Sequence, residues 1–209
     1  MKKVALFLLI IISNFCFAQQ TEEFRQIKNY YNQHRSMLGK EFKKKFDAEK
    51  NTDSKKMIRQ DFLLFMSKMD SIENTAFVGA LLKVKNLEDL NKIKTKNGLT
   101  SLNVSDGDKI AKSEKPAEYP GGINVLRKEI EDIFYNDGVK SGTDQVKTSI
   151  VFTVERDGSI SDVNASGDNF IFNRQAEIAV YSLSQKFLPA VSNGETIRTR
   201  FRLPLSFSK

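Results

Sequence analysis

The chain has 209 residues, with 33 Lys or Arg against 26 Asp or Glu, a formal net charge of +7, one His, one Cys and no Trp. One histidine and one cysteine are too few for zinc sites of the usual spacing, and a product without Cys16 has no histidine triad with a cysteine nucleophile either. The length suits one or two modest domains held together by packing alone.

At the amino terminus, Lys2 and Lys3 precede an apolar run from Val4 to Ile12, followed by Ser13, Asn14 and the small-residue end Cys16-Phe17-Ala18. This is the pattern of a secretory signal peptide, with cleavage expected after Ala18. The other reading is an uncleaved membrane anchor from Val4 to Ala18, short against the roughly 20 apolar residues a spanning helix needs. Cleavage removes Cys16 and leaves a product with neither disulfide nor thiolate. Without Lys2 and Lys3 the balance is 31 basic to 26 acidic residues, and from Pro116 onward it is 11 to 12, so the basic excess lies between Gln19 and Lys115. There Lys43-Lys44-Lys45 and Lys55-Lys56 sit among helical charges of both signs, which reads as solvated helix faces rather than a nucleic-acid site.

From Thr21 to about Phe46, Phe24, Ile27, Tyr31, His34, Leu38 and Phe42 recur at steps of three or four, the spacing of an amphipathic helix. A polar break follows. Asp53 or Ser54 is then placed to cap a second helix with the stripe Ile58, Phe62, Phe65, Met69 and Ile72. Two such helices on a short loop predict an antiparallel hairpin. Asn74 to Leu90 is ambiguous by period and leans towards helix, Leu87 to Ile93 suggests one more short helix, and Lys94 to Lys115 has the composition of a linker.

The pattern sharpens after Pro116. Tyr119-Pro120-Gly121-Gly122 leads into a helical stripe of Ile123, Leu126, Ile130 and Ile133. Val146, Thr148, Ile150, Phe152 and Val154 alternate onto one strand face, Asp157-Gly158 forms a hairpin turn, and Ser159 to Ala165 returns with either a bulge or an early end expected between Ile160 and Val163. Ala176, Val180, Leu183 and Phe187 predict a helix that Pro189 stops. In the last strand Ile197, Thr199, Phe201, Leu203, Leu205 and Phe207 face one way, Arg198, Arg200 and Arg202 the other, and Pro204 argues for a sheet edge. The expected fold class is α+β: a helical hairpin region, then helix, strand, strand, helix, strand around a three-stranded antiparallel sheet. The expected divisions are 1–18 signal peptide, 19–93 helical hairpin region, 94–115 linker and 116–209 α+β domain.

Glu118-Tyr119-Pro120-Gly121-Gly122, the hairpin Val151-Phe152-Thr153-Val154-Glu155-Arg156-Asp157-Gly158-Ser159-Ile160, and Phe187-Leu188-Pro189-Ala190 before Gly194 occur in one order. Over about Pro116 to Phe207 this resembles the carboxy-terminal domain of the TonB family, periplasmic energy transducers of double-membraned bacteria. Phe187 stands where the family often has tryptophan, and Asp144 to Val146 lacks the glycine the family often carries there. TonB transducers also have a membrane anchor with a histidine and a long proline-rich arm. Here the only histidine is His34, and all four prolines lie at or after Pro116.

The resemblance implies a periplasmic product, inner-membrane anchored if uncleaved, that takes part in TonB-type transport through protein contact. Its partner would be an outer-membrane transporter or another envelope protein, bound by β-augmentation at the last strand. Thr196, Arg198, Arg200, Arg202 and Phe207 are the binding candidates, with Tyr119 and Pro120 either shaping the groove or, the favoured reading, only packing, and a proline at Thr199 should abolish binding. Alternating charge on an edge strand also serves to block pairing. The other function is an envelope adaptor or cell-wall-binding protein that reuses the fold without energy transduction. No catalytic residues, metal or cofactor are expected, nor nucleic acid; membrane contact would be indirect after cleavage, and a homodimer is left open.

Overall fold

The computed structural model describes residues 15–96, 114–135 and 145–208. The apolar run of the expected signal peptide and most of the expected linker lie outside these residues. In chain order the elements are α1 (Phe15–Ala48), α2 (Thr52–Lys96), α3 (Gly122–Ile133), β1 (Gln145–Val154), β2 (Ile160–Ser166), α4 (Phe170–Tyr181), β3 (Ala190–Ser192), β4 (Glu195–Ile197) and β5 (Thr199–Ser208). The class is α+β, with a three-stranded antiparallel sheet ordered β2-β1-β5 and a two-stranded β3-β4 sheet.

α1 and α2 form the expected antiparallel hairpin, and the α1 stripe from Phe24 to Phe42 lies buried or half-buried as its spacing requires. α2 departs from expectation in three ways. Its amino-terminal cap is Asn51, whose Oδ1 accepts from the amides of Asp53 at 2.8 Å and Ser54 at 3.0 Å, so neither Asp53 nor Ser54 is the cap. It runs unbroken for 45 residues, absorbing the ambiguous Asn74 to Leu90 and the short helix expected at Leu87. Gly79 lies at an open position where a side chain would meet nothing within 4 Å, so it forfeits no packing and costs the helix only its backbone entropy, about 1 kcal/mol. Finally, Phe65 and Ile72 of the expected stripe are exposed, and the buried face runs through Met66, Met69, Glu73, Phe77 and Val84 instead. Glu73 holds its place in the seam by accepting from the Arg35 guanidinium of α1, which also donates to Asp70 Oδ1 at 2.6 Å.

One buried cluster joins the hairpin to the sheet: Phe24, Phe77, Ala80, Leu81 and Val84 share it with Ile150, Phe152, Val163, Phe172, Tyr181 and Leu203. Phe24 is fully buried and stacks on Phe77 at 6.1 Å and on Tyr181 at 5.4 Å. α4 covers the apolar sheet face, and α1, α2 and α3 pack on α4. α4 is capped by Asn169, which accepts from Phe172 N at 2.9 Å. It ends at Tyr181, short of the expected Phe187. Leu183 and Phe187 are buried from an extended segment, because Phe187 N–H is bonded to Gly158 O at 3.0 Å. Gly158 sits at φ +79°, and a Cβ on it would lie 2.1 Å from Phe187 O, so the hairpin turn and this segment fit only with glycine there.

Of the bulge and the early end expected as alternatives in the return strand, the bulge is present. Val151 faces Asn164 and Thr153 faces Ser161, one residue more on β2 than on β1, and Asp162 takes φ +52°. That extra residue lets Ile160 and Val163 both turn inward. The final strand is two strands. Asn193-Gly194, both at positive φ, turn β3 into β4, and the chain then continues into β5.

Candidate functional site

The two edges of the sheet differ, and backbone direction shows how. In an antiparallel strand the N–H and C=O of one residue point to the same neighbour, and the next residue points to the opposite side. Glu155 N–H is bonded to Ser159 O at 2.8 Å, which aims the odd-numbered residues at this end of β1 towards β2. The even-numbered Val146, Thr148, Ile150, Phe152 and Val154 therefore face β5, where their partners are Phe207, Leu205, Leu203, Phe201 and Thr199. Arg200, Arg202, Pro204 and Ser206 consequently direct their backbone groups outward. Pro204 falls where the ladder needs no N–H, the position an edge strand allows it.

The outer edge of β2 is occupied. Asp162 N–H donates to Glu88 Oε1 at 2.9 Å, Val163 N–H to Tyr181 Oη at 3.2 Å, and Ala165 N–H to Glu177 Oε1 at 2.9 Å. Lys85 of α2 donates to Val163 O, and Tyr181 Oη–H donates to Glu88 at 2.6 Å. Burial and the neighbouring Glu88 carboxylate push the Tyr181 phenol well above its ordinary range, so it stays a donor. The outer edge of β5 has no such cover: among the described residues β1 is the one element in extended contact with it.

The candidate residues separate accordingly. Arg200 and Arg202 lie on β5, exposed, opposite Thr153 and Val151. Phe207 pairs opposite Val146 through its backbone, and its side chain is outside what is described. Arg198 is committed within the molecule: Nε donates to Glu155 Oε1 at 3.0 Å and an Nη to Asp162 Oδ2 at 2.9 Å, and Asp162 also meets Lys92 at 3.1 Å. Thr196 lies in β4, paired with Val191 and separate from the long strand.

Tyr119 is buried, packs edge-on against Phe187 at 5.1 Å and donates to Glu129 Oε2 at 2.5 Å. Burial and that carboxylate raise its phenol to about 12. Pro120 is half-buried in the turn closed by Gly122 N–H to Tyr119 O at 2.8 Å. Both residues support the fold from beneath the sheet region instead of lining the β5 edge.

Sequence reasoning missed Glu88, Glu177 and Tyr181, whose side chains close the β2 edge. No local signal marks them, because each is defined by a β2 partner 12 to 74 residues away. The β3-β4 hairpin did have a signal, the Asn193-Gly194 pair. Among the described residues, no group of three or more His, Cys, Asp or Glu side chains could hold a metal ion, and no helix is long and apolar enough to cross a membrane. Comparison with protein-family models and with curated proteins found no match.

Proposed function

We propose that this chain is an exported periplasmic binding protein with a TonB carboxy-terminal-like domain that takes an extended segment of a partner as an added strand along β5. The observation that carries this reading is the contrast between the edges: β2 is sealed by Glu88, Tyr181 and Glu177, and β5 leaves the amides of Arg200, Arg202 and Ser206 facing outward. Main-chain hydrogen bonds along such an edge give affinity, and side chains at alternate positions give selectivity. Arg200 and Arg202 supply that selectivity and favour an acidic or carboxylate-bearing peptide. The partner class is an outer-membrane transporter or another envelope protein, in TonB-type transport.

Proline scanning tests the edge, and the register says where to place it. Thr199 faces Val154 of β1, so a proline there would break the β1–β5 ladder and confound binding with folding. Arg202→Pro removes one outward N–H and leaves that ladder intact. Crosslinked capture from an envelope fraction with wild type, Arg202→Pro and Arg200→Ala/Arg202→Ala should recover envelope proteins with the wild type, and recovery should fall about tenfold or more with either variant. Recovery of the same proteins by all three folded chains would contradict the site. Recovery limited to cell-wall or soluble periplasmic components would make the protein an adaptor.

A further inference from the structure

The α1–α2 hairpin extends well past the body it is anchored to. The shared core takes Phe24 from α1 and nothing from α2 before Phe77. Asn74, which accepts from Gln175 at 2.7 Å, is among the described residues the last on α2 towards the loop with a hydrogen bond to α4. From Asn74 back to Thr52 is about 33 Å of helix. Phe42, Phe46 and Phe62 hold the two helices together along this arm, with Phe42 stacked on Phe62 at 4.1 Å.

The tip of the arm, taken as residues 40–65, combines two features its own stability does not require. From Lys40 to Arg59 there are eight basic and four acidic residues, a net +4. Among the described residues Lys43, Lys44, Lys45 and Arg59 make no salt bridge, and all four are exposed. Met57 is 64% exposed among them, and one to two turns nearer the body Leu63, Leu64 and Phe65 are 58%, 58% and 51% exposed. Three consecutive exposed apolar side chains on a helix are a patterning error unless something covers them. Charge alone would suit any polyanion, but a nucleic acid would leave these apolar groups in water. A bilayer surface takes both, with ammonium groups at lipid phosphates and apolar groups at the acyl boundary.

We propose that the tip of the α1–α2 hairpin docks on a membrane of anionic phospholipid. The molecule then has a direct membrane contact of its own, at the opposite end of the arm from the β5 edge and independent of how that edge is used.

Vesicle flotation with the full chain tests this, using phosphatidylcholine vesicles with and without about 30% phosphatidylglycerol. The Val4 to Ile12 segment is common to every variant, so comparison between variants isolates the tip. The expected result is stronger binding to the anionic vesicles, lost at about 0.5 M salt. Lys43→Glu/Lys44→Glu/Lys45→Glu should weaken it by about tenfold or more. Leu63→Ser/Leu64→Ser/Phe65→Ser should weaken it independently, each variant keeping wild-type helicity by circular dichroism. Unchanged vesicle binding by either folded variant would overturn the proposal, as would tip-dependent binding to duplex DNA in place of vesicles.

Discussion

Tyr181 joins three parts of the molecule, two through its hydroxyl and one through its ring. It accepts from Val163 N–H, donates to Glu88 of α2, and its ring stacks on Phe24 of α1. Tyr181→Phe keeps the ring and leaves a buried amide and a buried carboxylate without that partner, a loss of about 1–3 kcal/mol. Urea unfolding of the variant would measure it. Glu129 gives a pH dependence. Burial raises its carboxyl, but the bonds from Tyr119 and from Ser184 N–H at 2.7 Å outweigh burial and hold it below the ordinary carboxylate value. A depressed folded value contributes stability that is fully present above the unfolded value of about 4.3 and lost as pH falls through the lower folded one. The urea midpoint should therefore drop on acidification through that window, and by less in Glu129→Gln; equal drops in the two proteins would contradict the assignment.

At the scale of elements, the helical hairpin and the sheet share a core. Phe24→Ala opens a cavity between Phe77 and Tyr181 and should cost about 3–5 kcal/mol. Because the cavity lies in the joint cluster, helical and aromatic signals should still melt in one transition; two separated transitions would contradict a joint core. The α1 stripe, the α+β order, the β2 bulge and the alternation of β5 were legible because each follows from a local period or turn signal. Other features were not. Met66 and Glu73 displace Phe65 and Ile72 from the buried face of α2 because the helix runs unbroken into Phe77, Ala80, Leu81 and Val84, whose burial in the shared core sets its rotation, and Arg35 of α1 meets Glu73 on that face. α4 stops at Tyr181 because the turn at Gly158, 29 residues before Phe187, holds the Phe187 amide. Of the candidate site, the edge position of β5 was readable from Pro204. The commitment of Arg198 to Glu155 and Asp162 was not, since a bulge on another strand brings Asp162 there.

Across the whole molecule, the parts form a sequence in space: an arm that is basic and carries exposed apolar groups, a core in which the carboxy-terminal part of α2 is bonded to the bulge of β2, and an open strand on the far side of β1. On the function proposed, sealing one edge and leaving the other open would direct strand addition to β5. This asymmetry is the central claim, and amide hydrogen exchange along β5 tests it most directly, first alone and then with the partner recovered by capture. The account predicts fast exchange at Arg200, Arg202 and Ser206 and slow exchange at Phe201, Leu203 and Leu205 in the free protein, with the first three becoming protected when the partner is added. Slow exchange at Arg200, Arg202 and Ser206 in the free protein, or a bound partner that leaves them unprotected, would contradict it.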